Sequence, residues 1–282
     1  MIHCLRVFIV FLCVTLFWEL NACTSGVRDS VQKESTVQWY NDTTALRRAL
    51  NKAIEDAQVL DESKVSHTLM PLDESVPEEE WIDANGTKMV LVLTMLKHDA
   101  LKYYAKDTFE LNYESGIWVT IPADWKRRRA EFEGMDSVES RMRMVQMLGM
   151  GVNSDLGDIV EFYADAKGLF RPAHNPDITT NTSPIVFPES VDSTVVIGVT
   201  NFRKWFANQL STAYKKDSAL PWTQLGYTYD WHEGATREGL SEYIVSHQTK
   251  IIVKRRIGKA AHNPKVVGSN PAPATKNSQV SH

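Results

Sequence analysis

The sequence predicts an α+β fold, a mainly antiparallel sheet with packed helices. Helical and strand patterns alternate along the chain without the regular spacing of a doubly wound βαβ sheet. A two-residue Asn85-Gly86 turn flanked by apolar segments is a hairpin signal. The 282 residues are 43% apolar and 10% aromatic, enough for a substantial core.

Taken in order, Asp42 or Thr43 caps a helix running to about Val59, because Leu46, Leu50, Ile54 and Ala57 recur on one face. After Asn85-Gly86 the run Lys88–Met95 reads as a buried strand paired with Trp81-Ile82. Phe109–Asn112 and Ile117–Ile121 flank Glu114-Ser115-Gly116 and suggest a second hairpin, and Pro122 suits the first turn of a helix through about Phe132. Asp136 with Glu139 makes a capping-box pattern for a helix to Leu148, ended by Gly149 or Gly151. Ile159–Tyr163 and Val195–Val199 read as strands, Asn201 caps a helix carrying Phe202, Trp205, Phe206, Leu210 and Ala213, and Leu225–Tyr229 and Tyr243–Val245 close the body. Residues 171–190, with four prolines, form a long loop and a candidate domain seam. The organisation expected is a leader over 1–22, a tether over 23–36, a globular body over 37–249 and a disordered tail over 250–282.

The net charge of −4 hides an asymmetry. Residues 250–282 hold seven Lys or Arg and no acid, which with Arg6 and Glu19 of the leader set apart leaves 23 bases and 34 acids, a net −11, for residues 23–249. So acidic a body argues against nucleic acid as a partner, since that needs a positive face.

Val7–Phe17 is an unbroken apolar run of 11 residues, too short to span a bilayer but of signal-peptide length. Leu20-Asn21-Ala22-Cys23 follows it and resembles the lipobox of bacterial lipoprotein precursors. That resemblance, confined to residues 1–23, implies cleavage before Cys23, lipidation of its sulfur and a body held on the exported side of a membrane; Asn21 and Glu19 depart from the usual pattern. An ordinary secretory signal and an uncleaved anchor are the alternatives. Cys4 and Cys13 would leave with the leader, so Cys23 would be the sole cysteine of the mature chain and no disulfide could form within it. Two acyl chains would anchor it stably, and the polar residues 24–36 would serve as a tether.

Residues 261–275 (AHNPKVVGSNPAPAT) have neither helical nor strand periodicity. Back-translated, they resemble the 3′ half of a bacterial initiator methionine tRNA gene, with His262 as the CAT anticodon, Gly268-Ser269-Asn270 as the T-loop and Ala274-Thr275-Lys276 as the discriminator base and terminal CCA. That resemblance implies a reading frame running into the attachment repeat of an integrated element. The basic cluster Lys254–Arg256 is accordingly not read as a nucleic-acid patch.

Strong catalytic signatures are missing: there is no phosphate-binding Gly-rich loop, no GxSxG, no HExxH and no Cys pair. In Tyr227–Glu233, strand alternation would set Asp230 and His232 on one face, where His232 beside Asp230 or Glu233 is a candidate general base. Trp222, Tyr227, Tyr229 and Trp231 are candidate ligand-stacking aromatics, or else packing on a sheet face. His98-Asp99 and His174–Asp177 fall short of a metal set, so no metal and no cofactor is expected. Met135, Met142, Met144, Met147 and Met150 read as flexible core filling, and Lys126–Arg129 as an exposed helix face paired with Asp124, Glu131 and Glu133. The function expected is that of a membrane-tethered lipoprotein binding an envelope partner, a protein or a glycan, with immunity or surface exclusion as one version. An envelope hydrolase using His232 is the alternative.

Overall fold

The computed structural model describes residues 38–258, which fall within one compact unit. The leader, Cys23 and its tether, and the tRNA-like segment 261–275 lie outside the described residues. The fold is α+β, with antiparallel pairing in every sheet.

Helix α1 (Thr43–Ala57) starts at Asp42, whose carboxylate accepts the Ala45 N–H at 2.9 Å, and buries Leu46, Ala53 and Ala57. Strands β1 (Trp81–Asp83) and β2 (Lys88–Leu96) form the expected hairpin. Asn85 and Gly86 both adopt positive φ, 59° and 80°, as a type I′ turn requires. Then come β3 (Thr108–Glu110), β4 (Ile117–Val119), α2 (Pro122–Arg127), α3 (Ser137–Met147), β5 (Asp158–Asp165), β6 (Leu169–Phe170), α4 (Phe202–Ala213), β7 (Tyr227–Tyr229), β8 (Glu238–Ser241), β9 (Tyr243–Val245) and β10 (Lys250–Ile257). Asp136 caps α3 through the Val138 and Glu139 N–H groups, but Glu139 does not close the box; its carboxylate accepts the Trp39 indole N–H instead. Asn201 caps α4.

The main sheet runs β1-β2-β5-β10-β3, and its strands β2 and β5 are buried on both faces. On one face Val90, Val92, Val160, Phe162, Ala164, Ile251 and Val253 pack against Tyr104, Leu111 and the inner residues of a second sheet, β4-β9-β6. On the other, Leu93, Ile159 and Ile257 pack against Trp125, Phe132, Met144 and Met147 of the α2–α3 region. β7 and β8 make a separate two-stranded ribbon.

Four expectations are corrected. Lys250–Ile257 is not tail but the strand between β5 and β3, so the body extends past residue 249. A register shift between Val253 and Arg255 lets Ile251 and Val253 face one core and Ile257 the other, while Arg255 forks onto buried Glu161 at 2.6 and 2.7 Å. The segments around 109 and 117 do not form a hairpin, because β3 pairs with β10 and β4 with β9. Val195–Val199 is a tight turn closed by a Val196–Val199 bridge, where Gly198 at φ 70° approaches the His247 carbonyl so closely that a Cβ would lie 2.1 Å from its oxygen. Finally, the loop over 171–190 is no seam. Its carbonyls at Ile178 and Asn181 accept the Leu72 and Leu69 N–H groups, and the fully buried Arg171 donates to the Met70 and Thr180 carbonyls at 3.1 and 2.8 Å.

A chain ended after Thr249 lacks a central strand and is expected to show no cooperative unfolding transition in urea, whereas one ended after Gly258 unfolds cooperatively. Equal midpoints for the two would contradict the sheet order.

Candidate functional site

Asp230 follows β7 and is 2% exposed. Two cations hold it: Arg143 of α3 makes a two-pronged contact at 2.9 and 2.6 Å, and Arg128 reaches the same carboxylate at 3.1 Å. Glu131 bridges both guanidinium groups, and Arg128 also donates to the Glu238 and Gly239 carbonyls at 2.9 and 3.1 Å. Arg143 and Asp230 are both buried, so the charge of each is compensated mainly within this network. Arg128 thus departs from the exposed role expected for Lys126–Arg129.

His232 meets Asp230 through its backbone N–H, at 3.1 Å, and not through its ring. Its Nδ1 lies 2.9 Å from the Gln146 amide oxygen and its ring stands edge-on to Trp39, 5.0 Å between centroids. Burial, and then the nearby Arg143 charge, hold its pKa below the ordinary histidine value. Glu233 is exposed. The ring-to-carboxylate pairing that a general base would use is therefore not assembled.

The four aromatic candidates separate. Tyr227 and Trp231 are core residues at 1% and 3% exposure; the Tyr227 hydroxyl donates to the Lys64 carbonyl and the Trp231 indole to that of Met150. Trp222 and Tyr229 line a cavity of about 1140 Å³. Its walls are mainly apolar, and they come from four of the five apolar clusters: Val119 from the sheet-to-sheet core, Leu93 from the α2–α3 side, Ala213 and Trp222 beneath α4, and Leu156 and Tyr229 beside α1. At its edge Trp118, 36% exposed, packs edge-on to Trp222 at 6.4 Å.

Two buried polar atoms in this lining have no hydrogen-bond partner, Oγ1 of Thr120 and Oε1 of Glu242. Glu242 sits between β8 and β9, its N–H bonded to the Gly226 carbonyl. Burial raises its pKa to about 8 against the opposing pull of Arg171, so the group is mainly protonated at neutral pH. A carboxyl in a mostly apolar cavity is the arrangement in which a polar group orients a ligand.

Among the described residues no group of three or more His, Cys, Asp or Glu side chains is placed to hold a metal ion. His98 instead contacts buried Asp158 at 2.8 Å, and His174 packs between Phe187 and Phe206. Met144 and Met147 are buried, and Met135, Met142 and Met150 pack against the same clusters as core filling. Sequence reasoning passed over Trp118, Thr120 and Glu242. Their signal was parity: Trp118 and Thr120 alternate along IWVTI, and Glu242 is the acid abutting the apolar triplet Tyr243–Val245. Compared with protein-family models, curated proteins and solved structures, the chain matches none.

Arg143→Met should lower the unfolding free energy by about 3–5 kcal/mol, because it removes the two-pronged buried partner of Asp230 and leaves the carboxylate with Arg128 alone. Urea titration measures this; a loss below about 1 kcal/mol would mean that Arg128 or water compensates Asp230 without Arg143.

Proposed function

We propose that this chain is an exported lipoprotein, held on a membrane through lipidated Cys23, whose body binds a small apolar ligand. The observation that carries the ligand half is the cavity of about 1140 Å³ with its mainly apolar lining and its paired tryptophans. Pockets that bury drug-sized ligands span roughly 300–1,000 Å³ and combine apolar walls with a few polar groups, and this one is of that kind. Filling it would remove apolar lining from water at about 25 cal/mol per Å². Stacking of a glycan on Tyr227 and Trp231 is not supported, since both rings are buried, while an envelope-protein partner remains compatible with a body that holds a small ligand. The lipoprotein half rests on Val7–Phe17 and the lipobox-like Leu20–Cys23.

No separate observation favours the hydrolase reading, because the Asp230 carboxylate is occupied by two guanidinium groups and His232 by Gln146.

Two measurements test the two halves. Protein purified from its native host should begin at an acylated Cys23 by intact mass spectrometry; an intact Met1 with a free thiol would refute the anchor. The Cys23→Ser form, purified without detergent, should bind one equivalent of a solvent-sensitive apolar dye. Ala213→Phe, which fills the cavity, should weaken that binding at least tenfold with the cooperative unfolding transition retained; unchanged binding would refute the cavity as the site.

A further inference from the structure

Resting on the cavity reading above, the question is which polar group the ligand carries. Strand β4 pairs with β9 so that Ile117 faces Val245, Trp118 faces Ile244 and Val119 faces Tyr243. Carried one residue further, the same register sets Thr120 opposite Glu242. Side chains alternate across a strand, so Trp118, Thr120, Glu242 and Ile244 share one face. Thr120 and Glu242 are 4% and 7% exposed, both line the cavity, and each keeps an oxygen without a hydrogen bond. Leaving such atoms unpaired costs about 1–3 kcal/mol apiece, more for a charged group. Two unfilled acceptors thus lie in the lining of a mainly apolar cavity, each buried as it stands, and a ligand engages them once those side chains turn into the cavity.

We infer that the cavity accepts a primary amine borne on an apolar chain or ring, its ammonium group held by Glu242 Oε1 and Thr120 Oγ1. A primary ammonium carries three donors and no acceptor, so it can reach both oxygens at once. Its charge is opposite to that of the ionised carboxyl, and charge-assisted bonds of this type are roughly twice as strong as neutral ones. Trp118, Trp222 and Tyr229 line the same space with rings whose faces attract cations. An alcohol offers one donor, and a carboxylate head offers none.

The charged and titratable groups around Glu242 are few. Arg171, in the loop after β6, favours its ionised form; Tyr214, at the end of α4, has its hydroxyl engaged with the Ala57 and Trp222 carbonyls and with Gln224. Lys102, Lys106 and Glu110 line the cavity from the segment ahead of β4. Because the free carboxyl is raised to about 8, an ammonium that binds its ionised form must expel its proton below that pH. Affinity should then rise close to tenfold per pH unit up to about pH 8 and level off above it, with up to one proton released per ligand below that point.

The test is calorimetric titration of the Cys23→Ser chain with octylamine, octanol and octanoate at pH 6.5, 7.5 and 9. Octylamine is expected to bind at least tenfold more tightly than octanol at pH 9 and to lose affinity toward pH 6.5. Glu242→Gln, which keeps the shape and the neutral state, should abolish both the preference and the pH dependence, and Thr120→Val should weaken octylamine severalfold while sparing octanol. Equal binding of octylamine and octanol at every pH would overturn the amine inference and leave the cavity reading standing. Binding of none of the three would overturn both.

Discussion

Strand β9 is the element on which the proposed site depends. It is only three residues long, yet it pairs with β4 on one side and β6 on the other, and it is wholly buried. Its inward residues Tyr243 and Val245 join the core beneath the main sheet, while Ile244 joins the Phe170, Phe206 and Trp222 cluster on the opposite face. A strand committed to cores on both faces leaves little freedom to the residue at its start. Glu242 is thereby held in an interior position where burial penalises its charge, and protonation is favoured at neutral pH.

The buried carboxylates of Asp230 and Glu161 are handled in the opposite way. Asp230 is surrounded by Arg143, Arg128 and the His232 backbone N–H, and Glu161 by the fork of Arg255. These carboxylates are matched at hydrogen-bond distance, which is how an interior tolerates ionised groups. Glu242 has Arg171 near enough to pull on its charge but no bond to it, and its neighbour Thr120 is equally unpaired. Buried polar atoms without a partner also occur away from the cavity, at Glu79 Oε1 and Arg171 Nη1 among others, so it is their place in the cavity lining that sets Thr120 and Glu242 apart.

Local signals made much of the architecture legible. Asp42, Asp136 and Asn201 cap helices as their side chains dictate, Asn85-Gly86 turns a hairpin, and the apolar run of β2 becomes a strand buried on both faces. What escaped was set by long-range pairing. In β10 the basic residues masked an alternation of Ile251, Val253 and Ile257 that a register shift interrupts, and the pairings of β3 and β4 depend on partners more than 100 residues away. The site was legible only in fragments. Trp222 and Tyr229 could be singled out as aromatics, but nothing local distinguishes them from the core residues Tyr227 and Trp231, and Thr120 and Glu242, 122 residues apart in sequence, meet in one cavity lining only through the folded chain.

The most direct measurement is a crystal structure of the protein soaked with 1-bromooctane, with bromine located by its anomalous scattering. A bromine peak is expected inside the cavity lined by Trp118, Trp222 and Tyr229, with the main-chain positions of β4 and β9 unchanged. A cavity that stays empty while bromine collects only on the outer surface would contradict it.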